Sequence, residues 1–229
     1  MNTQSKILFM GRKNCLYSKK MIQELKKYTN QIRFILSNNS KGKLPKKILK
    51  WKGDYIFCFR SFFILKKNFL NHARVAAINF HPGTPKYRGV GCINFSLLNK
   101  EKFYGATCHL MDERLDFGQI INSRKFKIKK NDSIKSILKK TYDLQFNQFK
   151  DIMKKLSENP LNLRKLILSS KKEKWSKKLF TRNDLNNLYK MNNKNKIYIT
   201  DINTYLKSTI TDEYKPYIEI GKKKFYINL

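Results

Sequence analysis

One stretch of twelve residues, positions 78–89, restricts the fold of this chain more than any other. It reads INFHPGTPKYRG, and it continues a short apolar run that begins at Val75. The two prolines and two glycines in this stretch can neither extend a strand nor open a helix at once. The sequence therefore predicts a buried strand that ends at His81.

The end of this predicted strand carries an amide and an imidazole. Asn79 and His81 are two residues apart, so both side chains point to the same side of a strand. Ligands of open α/β sheets bind at such strand ends. An imidazole can move a proton near neutral pH, and a carboxamide offers N–H donors to an oxygen that gains negative charge. The pair suits acyl transfer, and a core histidine beside a structural turn is the alternative.

Two neighbouring motifs narrow these alternatives. The run HPxxxxYRG at positions 81–89 is followed by YGATCHLMDERLDFGQII at positions 104–121. Together they resemble the signature of the folate-dependent formyltransferases, over roughly residues 6–150. The resemblance implies N10-formyltetrahydrofolate as the co-substrate. The catalytic Asn, His and Asp of that family fall by motif on Asn79, His81 and Asp116.

The order of predicted elements is that of an α/β protein. Apolar runs and helical periodicities predict alternating strands and helices in the first 160 residues. The predicted elements are strand 6–11, helix 14–28, strand 31–37, helix 46–51, strand 55–60, helix 61–73, strand 75–81, strand 119–128 and a long helix from 131 to 159. With the resemblance, this order predicts a Rossmann-like, mostly parallel twisted sheet of the formyltransferase type.

The net charge of +34 is the most unusual property of the composition. Such a charge ordinarily indicates a nucleic acid or an anionic membrane as partner. Here the basic residues are spread along the chain, and 41 of the 50 are lysine, which lacks the planar fork that binds phosphate bidentately. An even lysine excess is typical of residue bias in a lineage, so we do not expect nucleic acid as a partner.

Cysteine and histidine usage argues against a metal site. The four cysteines lie far apart without a CxxC pair, and the chain has three histidines. Isolated thiols in apolar context are typical of reduced cysteines in the cytoplasm. The apolar run at 7–10 is too short for a signal peptide or a membrane span. We therefore expect a soluble, cytoplasmic protein without membrane contact.

Two regions are candidates for substrate binding. The turn after the first strand holds Gly11 and Lys13 beside a helix start, where backbone N–H groups can bind phosphate, and a plain loop is the alternative. In the second motif we expect Tyr87, Arg88 and Gly89 to shape the acceptor side. Arg88 is the candidate for an anionic substrate group, with a salt bridge to a structural carboxylate as the alternative.

The resemblance also implies where the folate lies. Related formyltransferases hold the pterin ring at the loop after the third strand, which places Phe62 and Ile64 there, with Leu110 and Met111 as further contacts. Ordinary core packing of Phe62 and Ile64 is the alternative. Residues 55–100 contain no Asp or Glu, so the region is locally cationic. That charge suits an anionic sugar nucleotide, the glutamate tail of a folate or tRNA.

Three carboxylates follow within the segment 112–116. We interpret Asp112 and Glu113 as solvated loop residues. Asp116 leads directly into a predicted strand, which places it at a constrained loop end. A carboxylate held there near an apolar wall would have a raised pKa.

The C-terminal region separates the candidate enzymes. We predict a catalytic domain at 1–180 and an extension at 181–229, made of a short helix and a β-hairpin around Gly221. Methionyl-tRNA formyltransferases typically carry a longer β-barrel domain, whereas this ending resembles the short tail of the nucleotide-sugar N-formyltransferases. The resemblance implies formyl transfer to the amine of a nucleotide-linked amino sugar, such as a dTDP-4-amino-4,6-dideoxyhexose, for surface polysaccharide. The sequence leaves open whether the protein forms a homodimer.

Two other functions stay open at this point. A methionyl-tRNA formyltransferase-like enzyme, or another folate-dependent formyltransferase, would use the same catalytic set on a different acceptor. An RNA-binding protein on this scaffold would exploit the charge of +34 and would need no intact catalytic set.

Overall fold

The computed structural model describes residues 3–39, 42–191 and 201–227. The Asn/Lys stretch 192–196, where the sequence changes character, lies outside these ranges. The strands are β1 (Ile7–Arg12), β2 (Ile32–Ser37), β3 (Gly53–Phe59), β4 (Ala73–His81), β5 (Arg88–Gly89), β6 (Phe103–Leu110), β7 (Ile120–Lys127), β8 (Leu179–Phe180), β9 (Lys190–Met191), β10 (Tyr217–Ile220) and β11 (Lys223–Tyr226). The helices are α1 (Leu16–Leu25), α2 (Lys46–Leu49), α3 (Lys67–Leu70), α4 (Cys92–Leu98), α5 (Ile134–Glu158), α6 (Asn162–Ser169), α7 (Arg182–Tyr189) and α8 (Ile202–Thr209).

A six-stranded sheet in the order β2-β1-β3-β4-β6-β7 forms the centre of the protein. The four strands β2, β1, β3 and β4 pair in parallel, and β6 pairs antiparallel with both of its neighbours. This confirms the predicted mostly parallel α/β sheet. Parallel strands of a sheet end at one edge, so β1, β3 and β4 deliver Arg12, Phe59 and His81 to the same edge.

The strand β4 ends at His81, as the sequence predicts. Its apolar residues from Ala76 to Phe80 are buried on both sheet faces, which explains why this part of the strand reads as a continuous apolar run. The next residues turn tightly: Thr107 on the neighbouring β6 donates its hydroxyl to the Gly83 carbonyl at 2.8 Å. A Cβ on Gly83 would stand 2.7 Å from His81 Nε2, so only glycine fits against the imidazole there.

The long helix α5 covers one face of the sheet. It begins at a capping box in which Ser133 and Ser136 exchange hydrogen bonds, and its apolar stripe enters the main core. On that stripe the Phe149 ring meets Phe57 of β3 and Phe80 of β4 edge-on, at centroid distances of 5.8 and 5.4 Å. The helix therefore holds β4 in place directly behind the strand end that carries His81.

The C-terminal extension is a helix and hairpin, as predicted. Strands β10 and β11 pair antiparallel around Gly221, which has φ 59°, and Thr181 caps α7 through the Asp184 N–H. Leu185 and Leu188 of α7 pack into a second core cluster together with Tyr87 and Phe180. The domain boundary at 180/181 stays a prediction.

Two sequence predictions about helices are wrong in detail. A helix was expected over 61–73, but only Lys67–Leu70 is helical. The chain turns instead at Arg60, with φ 53°, and the Phe62 N–H donates to Ser37 Oγ at 2.9 Å, so the start of the segment is fixed to β2. In addition, the lysine-rich sequence of residues 161–180 predicts only a connector, but this segment contains α6.

We predict that Phe149→Ala destabilises the protein strongly. The side chain is fully buried between two aromatic rings, so its removal leaves a cavity and costs about 3–5 kcal/mol of unfolding free energy. The matched control is Phe103→Ala, whose side chain is 53% exposed and whose loss is expected to change stability by less than about 0.5 kcal/mol. Urea unfolding monitored by circular dichroism measures both, and equal midpoints would contradict the packing role.

Candidate active site

The end of β4 and the loop before β7 bring the three predicted catalytic residues together. His81 Nδ1 lies 3.2 Å from Asp116 Oδ2, and Asn79 Nδ2 lies 3.3 Å from Asp116 Oδ1. Asp116 thus contacts both side chains of the strand end. His81 and Asp116 are both buried, whereas Asn79 is partly exposed and borders solvent.

A constrained loop holds Asp116 in this position. Its backbone is left-handed, with φ 47°, and its carboxylate accepts the Gly89 N–H at 3.1 Å. Arg88 donates from Nε to the Asp116 carbonyl at 2.7 Å and from a terminal nitrogen to the Leu115 carbonyl at 2.8 Å. Asp116 therefore depends on contacts from the HPxxxxYRG motif.

The structure adds a second histidine that the sequence analysis missed. His109 lies opposite Asn79 in the β4–β6 register, and its Nε2 is 3.1 Å from Asn79 Nδ2 and 3.6 Å from Asp116 Oδ1. The sequence signal for His109 is its place in the second motif, where the alternation of a strand would turn it to the same side as every second residue. This signal did not identify His109, because β6 was not predicted as a strand.

The two imidazoles differ in which of their ring nitrogens carry a proton. The Tyr87 carbonyl, 2.8 Å from His81 Nε2, and the Asp116 carboxylate beside Nδ1 can only accept hydrogen bonds, so both nitrogens of His81 carry protons. The Cys92 thiol, 3.8 Å from Nε2, donates to the Gly89 carbonyl instead. The Leu110 carbonyl, 2.7 Å from His109 Nδ1, likewise fixes a proton there. Since Asn79 Nδ2 donates towards His109 Nε2, that nitrogen holds a lone pair.

The electrostatics of the ion pair agree with this assignment. Burial by itself lowers the pKa of His81, but the contacts with Asp116 and Cys92 together outweigh it and hold the pKa well above its ordinary value. Burial by itself raises the pKa of Asp116, yet the charged His81 and the hydrogen bonds that the carboxylate accepts hold that pKa far below its ordinary value. The expectation of a raised pKa in this acidic segment is therefore wrong for Asp116, because a charged imidazole and further N–H donors face the carboxylate.

A tryptophan from the predicted connector lies against both imidazoles. The Trp175 ring is 5.7 Å from the His81 ring and 5.1 Å from the His109 ring, both near-perpendicular. Its Nε1 donates to the Gly118 carbonyl at 2.7 Å, two residues beyond Asp116. The sequence gives no sign of this contact, because Trp175 lies far from both histidines along the chain.

The residues that were predicted to shape the acceptor side mostly make contacts within the protein itself. The Tyr87 side chain is buried, and its hydroxyl donates to the Glu101 carboxylate at 2.8 Å. Gly89, with φ 90°, bridges β5 to β8, where a Cβ would collide with the Phe180 carbonyl. The Arg88 guanidinium is buried and donates to backbone carbonyls, so this geometry does not favour its predicted contact with a substrate anion.

Gly11 and Lys13 have different surroundings. Gly11 is buried between the side chains of Phe9, Ser18 and Leu36, which favours a packing role over phosphate contact. Lys13 is exposed at the wall of a cleft of about 610 Å³. The cleft also contains Arg12, Asn14, Cys15, Tyr17, Arg60, Ile134, Lys135, Leu138, Lys139, Tyr142, Thr211, Asp212, Glu213 and Tyr214.

The predicted folate residues lie in two separate segments. Phe62 is partly buried under the Arg12 guanidinium, 4.5 Å from its ring centroid, and Ile64 is 78% exposed. Leu110 packs against the main core, and Met111 packs against the core cluster on the other sheet face. Their contact with a folate stays a prediction.

Two further classes of site were searched for in the described ranges. No group of three or more His, Cys, Asp or Glu side chains in residues 3–39, 42–191 and 201–227 is placed to hold a metal ion. None of the helices in this part of the chain is both long enough and apolar enough to cross a membrane.

A sheet that delivers an Asn, a His and an Asp to one strand end defines a class of acyl-group transferases. Comparison with known families agrees: residues 11–153 match the model of the formyl transferase family. This chain belongs to that family.

Sequence relatives come from two kinds of protein. The bifunctional polymyxin resistance protein ArnA of Wigglesworthia glossinidia brevipalpis is 38% identical over 106 residues, which is 42% of this chain and 16% of that protein. A methionyl-tRNA formyltransferase of Borrelia garinii subsp. bavariensis is 34% identical over 111 residues, 48% of this chain and 35% of that enzyme. The matched part of the chain thus spans about a third or less of these curated relatives.

Solved structures match the chain over nearly its whole length. A sugar N-formyltransferase from a Shewanella species has a TM-score of 0.72 at 21% identity, covering 98% of this chain and 97% of that one. A 4-N formyltransferase from Francisella tularensis has a TM-score of 0.70 at 19% identity, with coverages of 98% and 97%. The N-formyltransferase of Helicobacter canadensis, solved with folinic acid and dTDP-3-aminofucose, has a TM-score of 0.68 at 22% identity, with coverages of 96% and 86%. These likenesses confirm the formyltransferase fold.

We predict a pH-dependent loss of stability in Asp116→Asn. Because the pKa of Asp116 is lowered in the folded protein, this group stabilises the fold at pH values above the ordinary carboxyl pKa. Because the pKa of His81 is raised in the folded protein, this group stabilises the fold at pH values below the ordinary imidazole pKa. Between pH of about 4 and 6.5 both contributions are complete, so the loss there is about 3 kcal/mol. It shrinks as the pH rises through the raised pKa of His81. Unfolding free energies from pH 4.5 to 10 measure it.

The matched control is Asp112→Asn. Asp112 pairs with Arg114 on the surface, so its loss is expected to cost less than about 1 kcal/mol. A loss at Asp116 that is equally small, or that is the same at every pH, would contradict the buried ion pair.

We predict that Arg88→Lys lowers stability and kcat while KM changes little. A lysine keeps the charge but cannot reach the carbonyls of Leu115 and Asp116 together, and leaving buried carbonyls without donors costs about 2 kcal/mol. Thermal unfolding and steady-state kinetics measure both effects, with Arg74→Lys at an exposed ion pair as the control. A rise in KM alone would instead indicate a substrate contact.

Proposed function

We propose that this protein transfers a formyl group from N10-formyltetrahydrofolate to the amine of a nucleotide-linked amino sugar. The observation that carries the proposal is the contact of Asn79, His81 and His109 with a single buried carboxylate, Asp116. The products are tetrahydrofolate and a formamido sugar. A dTDP-4-amino-4,6-dideoxyhexose of surface polysaccharide synthesis is the type of acceptor we expect, with the protein in the cytoplasm.

Bound N10-formyltetrahydrofolate supplies the formyl carbon that the acceptor amine attacks. His109 Nε2, with its lone pair, takes the proton that the attacking amine loses. His81, protonated on both nitrogens, is the proton donor for the departing N10 nitrogen. The two histidines thus divide the acid and base roles, because their hydrogen-bond partners hold them in different protonation states.

Asn79 and Asp116 complete the set. Asn79 reaches both His109 and Asp116 with its amide nitrogen, and a shift of one N–H would give a donor to the formyl oxygen as it gains negative charge. Asp116 keeps His81 charged and correctly oriented. His81 is assigned the acid role and not the base role, because that side chain already carries both protons.

The segments that fit the folate are the irregular loop 60–66 and the end of β6. The loop presents Phe62 as a flat, partly buried ring and Ile64 as an exposed apolar side chain. Phe63 of this loop and Met111 pack against one core cluster, so the two segments share a wall. A pterin ring is flat and polar at its edges, which suits an aromatic wall flanked by backbone donors and acceptors.

The cleft lined by Lys13 is the proposed seat of the acceptor diphosphate. Arg12, Lys13 and Arg60 bring three positive charges to one wall, and Arg60 lies 4.3 Å above the Tyr142 ring. Lys135 in the same cleft pairs with Asp212, so that carboxylate is already neutralised. Fixed guanidinium groups beside aromatic rings suit a diphosphate and a base together.

The solved structures support a sugar nucleotide as acceptor. Sugar N-formyltransferase structures share the fold of this chain, and the one from Helicobacter canadensis was solved with dTDP-3-aminofucose. Sequence identity favours the tRNA enzymes, so methionyl-tRNA is the second candidate acceptor.

We predict that purified protein releases tetrahydrofolate only when both N10-formyltetrahydrofolate and a dTDP-linked amino sugar are present. His81→Ala is expected to lower kcat/KM by about 10²- to 10⁴-fold, because the variant loses the proton donor. His72→Ala, just before the opposite end of β4, is the matched control and keeps wild-type turnover. The absorbance of released tetrahydrofolate measures the rate.

The acceptor is tested in the same assay. Initiator methionyl-tRNA replaces the sugar nucleotide in a parallel reaction. Formylation of the tRNA, with no turnover of dTDP-, UDP- or GDP-linked amino sugars, would contradict the proposed acceptor and leave the formyl transfer itself intact.

A further inference from the structure

Trp175 contacts the catalytic cluster from outside the segment matched by the family model. That match ends at residue 153, and Trp175 follows α6 in a stretch without regular structure. Even so, its ring touches both imidazoles, and its indole nitrogen holds the loop that carries Asp116. One side chain thus contacts three parts of the catalytic cluster.

The segment 170–180 is bound down along its length, and we name it the strap. At its start Ser170 Oγ donates to the Ile121 carbonyl at 2.8 Å, next to the loop of Asp116. In the middle the Ser176 N–H donates to the Pro85 carbonyl at 2.9 Å, and Arg88 donates to the Ser176 carbonyl at 3.0 Å. At its end β8 pairs with β5.

These contacts fix the position of the indole. The strap binds on one side to the loop after His81 and on the other side to the start of β7. Trp175 stands between these anchors, so its ring cannot leave the histidines without breaking hydrogen bonds on both sides. An indole is large and apolar, and its edge-on contacts at 5.1 and 5.7 Å leave no space for water between it and the two rings.

We propose that Trp175 is a positioning residue for the formyl transfer, which orients His81 and His109 and excludes water from their contacts with Asp116. The proposal rests on the proposed function. Water at the His81–Asp116 pair would screen the attraction that keeps His81 charged, and it would let both rings rotate. Trp175 therefore acts through the histidines and not on the substrate.

The first test compares Trp175→Ala and Trp175→Phe. The alanine variant is expected to lose about 10- to 100-fold in kcat, since loosely held catalytic groups cost that much, with KM for both substrates within about threefold. The phenylalanine variant keeps a ring against both imidazoles and is expected to stay within about fivefold of wild type. Trp51→Phe, in the core cluster of the other sheet face, is the control for a tryptophan exchange.

The second test needs no turnover. The chain has three histidines, so their Cε1–H resonances can be followed separately by NMR through a pH titration. In the wild type the contacts of His81 with Asp116 and Cys92 outweigh burial, and water admitted beside the ring would screen the attraction of the Asp116 carboxylate. In Trp175→Ala the pKa of His81 is therefore expected to fall towards the ordinary imidazole value.

The outcomes separate the two proposals. A wild-type protein without formyl transfer would overturn the proposed function, whatever the histidines do. An unchanged His81 titration, or a kcat for the alanine variant within threefold of wild type, would overturn the role of Trp175. If the alanine chain does not fold, Trp175→Leu replaces it, since leucine fills apolar space but is too short to contact both rings.

Discussion

The ion pair of His81 and Asp116 is the interaction on which the site depends. Both groups are buried, so each is tolerated only because the other is charged. The surrounding framework serves to keep the two within 3.2 Å: β4 fixes the imidazole, and Arg88 and Gly89 fix the loop of the carboxylate. Removal of either partner would leave a charge without solvent or counterion.

The backbone beside the same pair takes left-handed conformations. Asp116 has φ 47°, and Gly89 has φ 90° directly beside the Phe180 carbonyl. A left-handed aspartate is costly unless its surroundings hold it, and here four donors from Arg88, Gly89, His81 and Asn79 do so. The left-handed backbone of Asp116 places its carboxylate within hydrogen-bonding distance of residues on two strands, β4 and β5.

The site also explains why framework and function are hard to separate in the HPxxxxYRG motif. Gly83 leaves room for the imidazole, the carbonyl of Tyr87 fixes a proton on it, and the Arg88 side chain ties the carboxylate loop to the strap. None of these three needs to touch a substrate. A motif of this type can thus mark a catalytic centre while most of its members support the residues that do the chemistry.

The sequence by itself determined the strand that ends at His81, the parallel sheet, the long helix and the C-terminal hairpin, because each depends on local apolar period and on Pro or Gly stops. It also marked Asn79, His81 and Asp116, since motif spacing is a property of the chain. Only the tertiary structure brought His109 and Trp175 to the site, which they reach across a strand pair and from 59 residues beyond Asp116. It likewise decided that the Arg88 guanidinium faces backbone carbonyls and that the Asp116 pKa is lowered, because both follow from which groups fold around them.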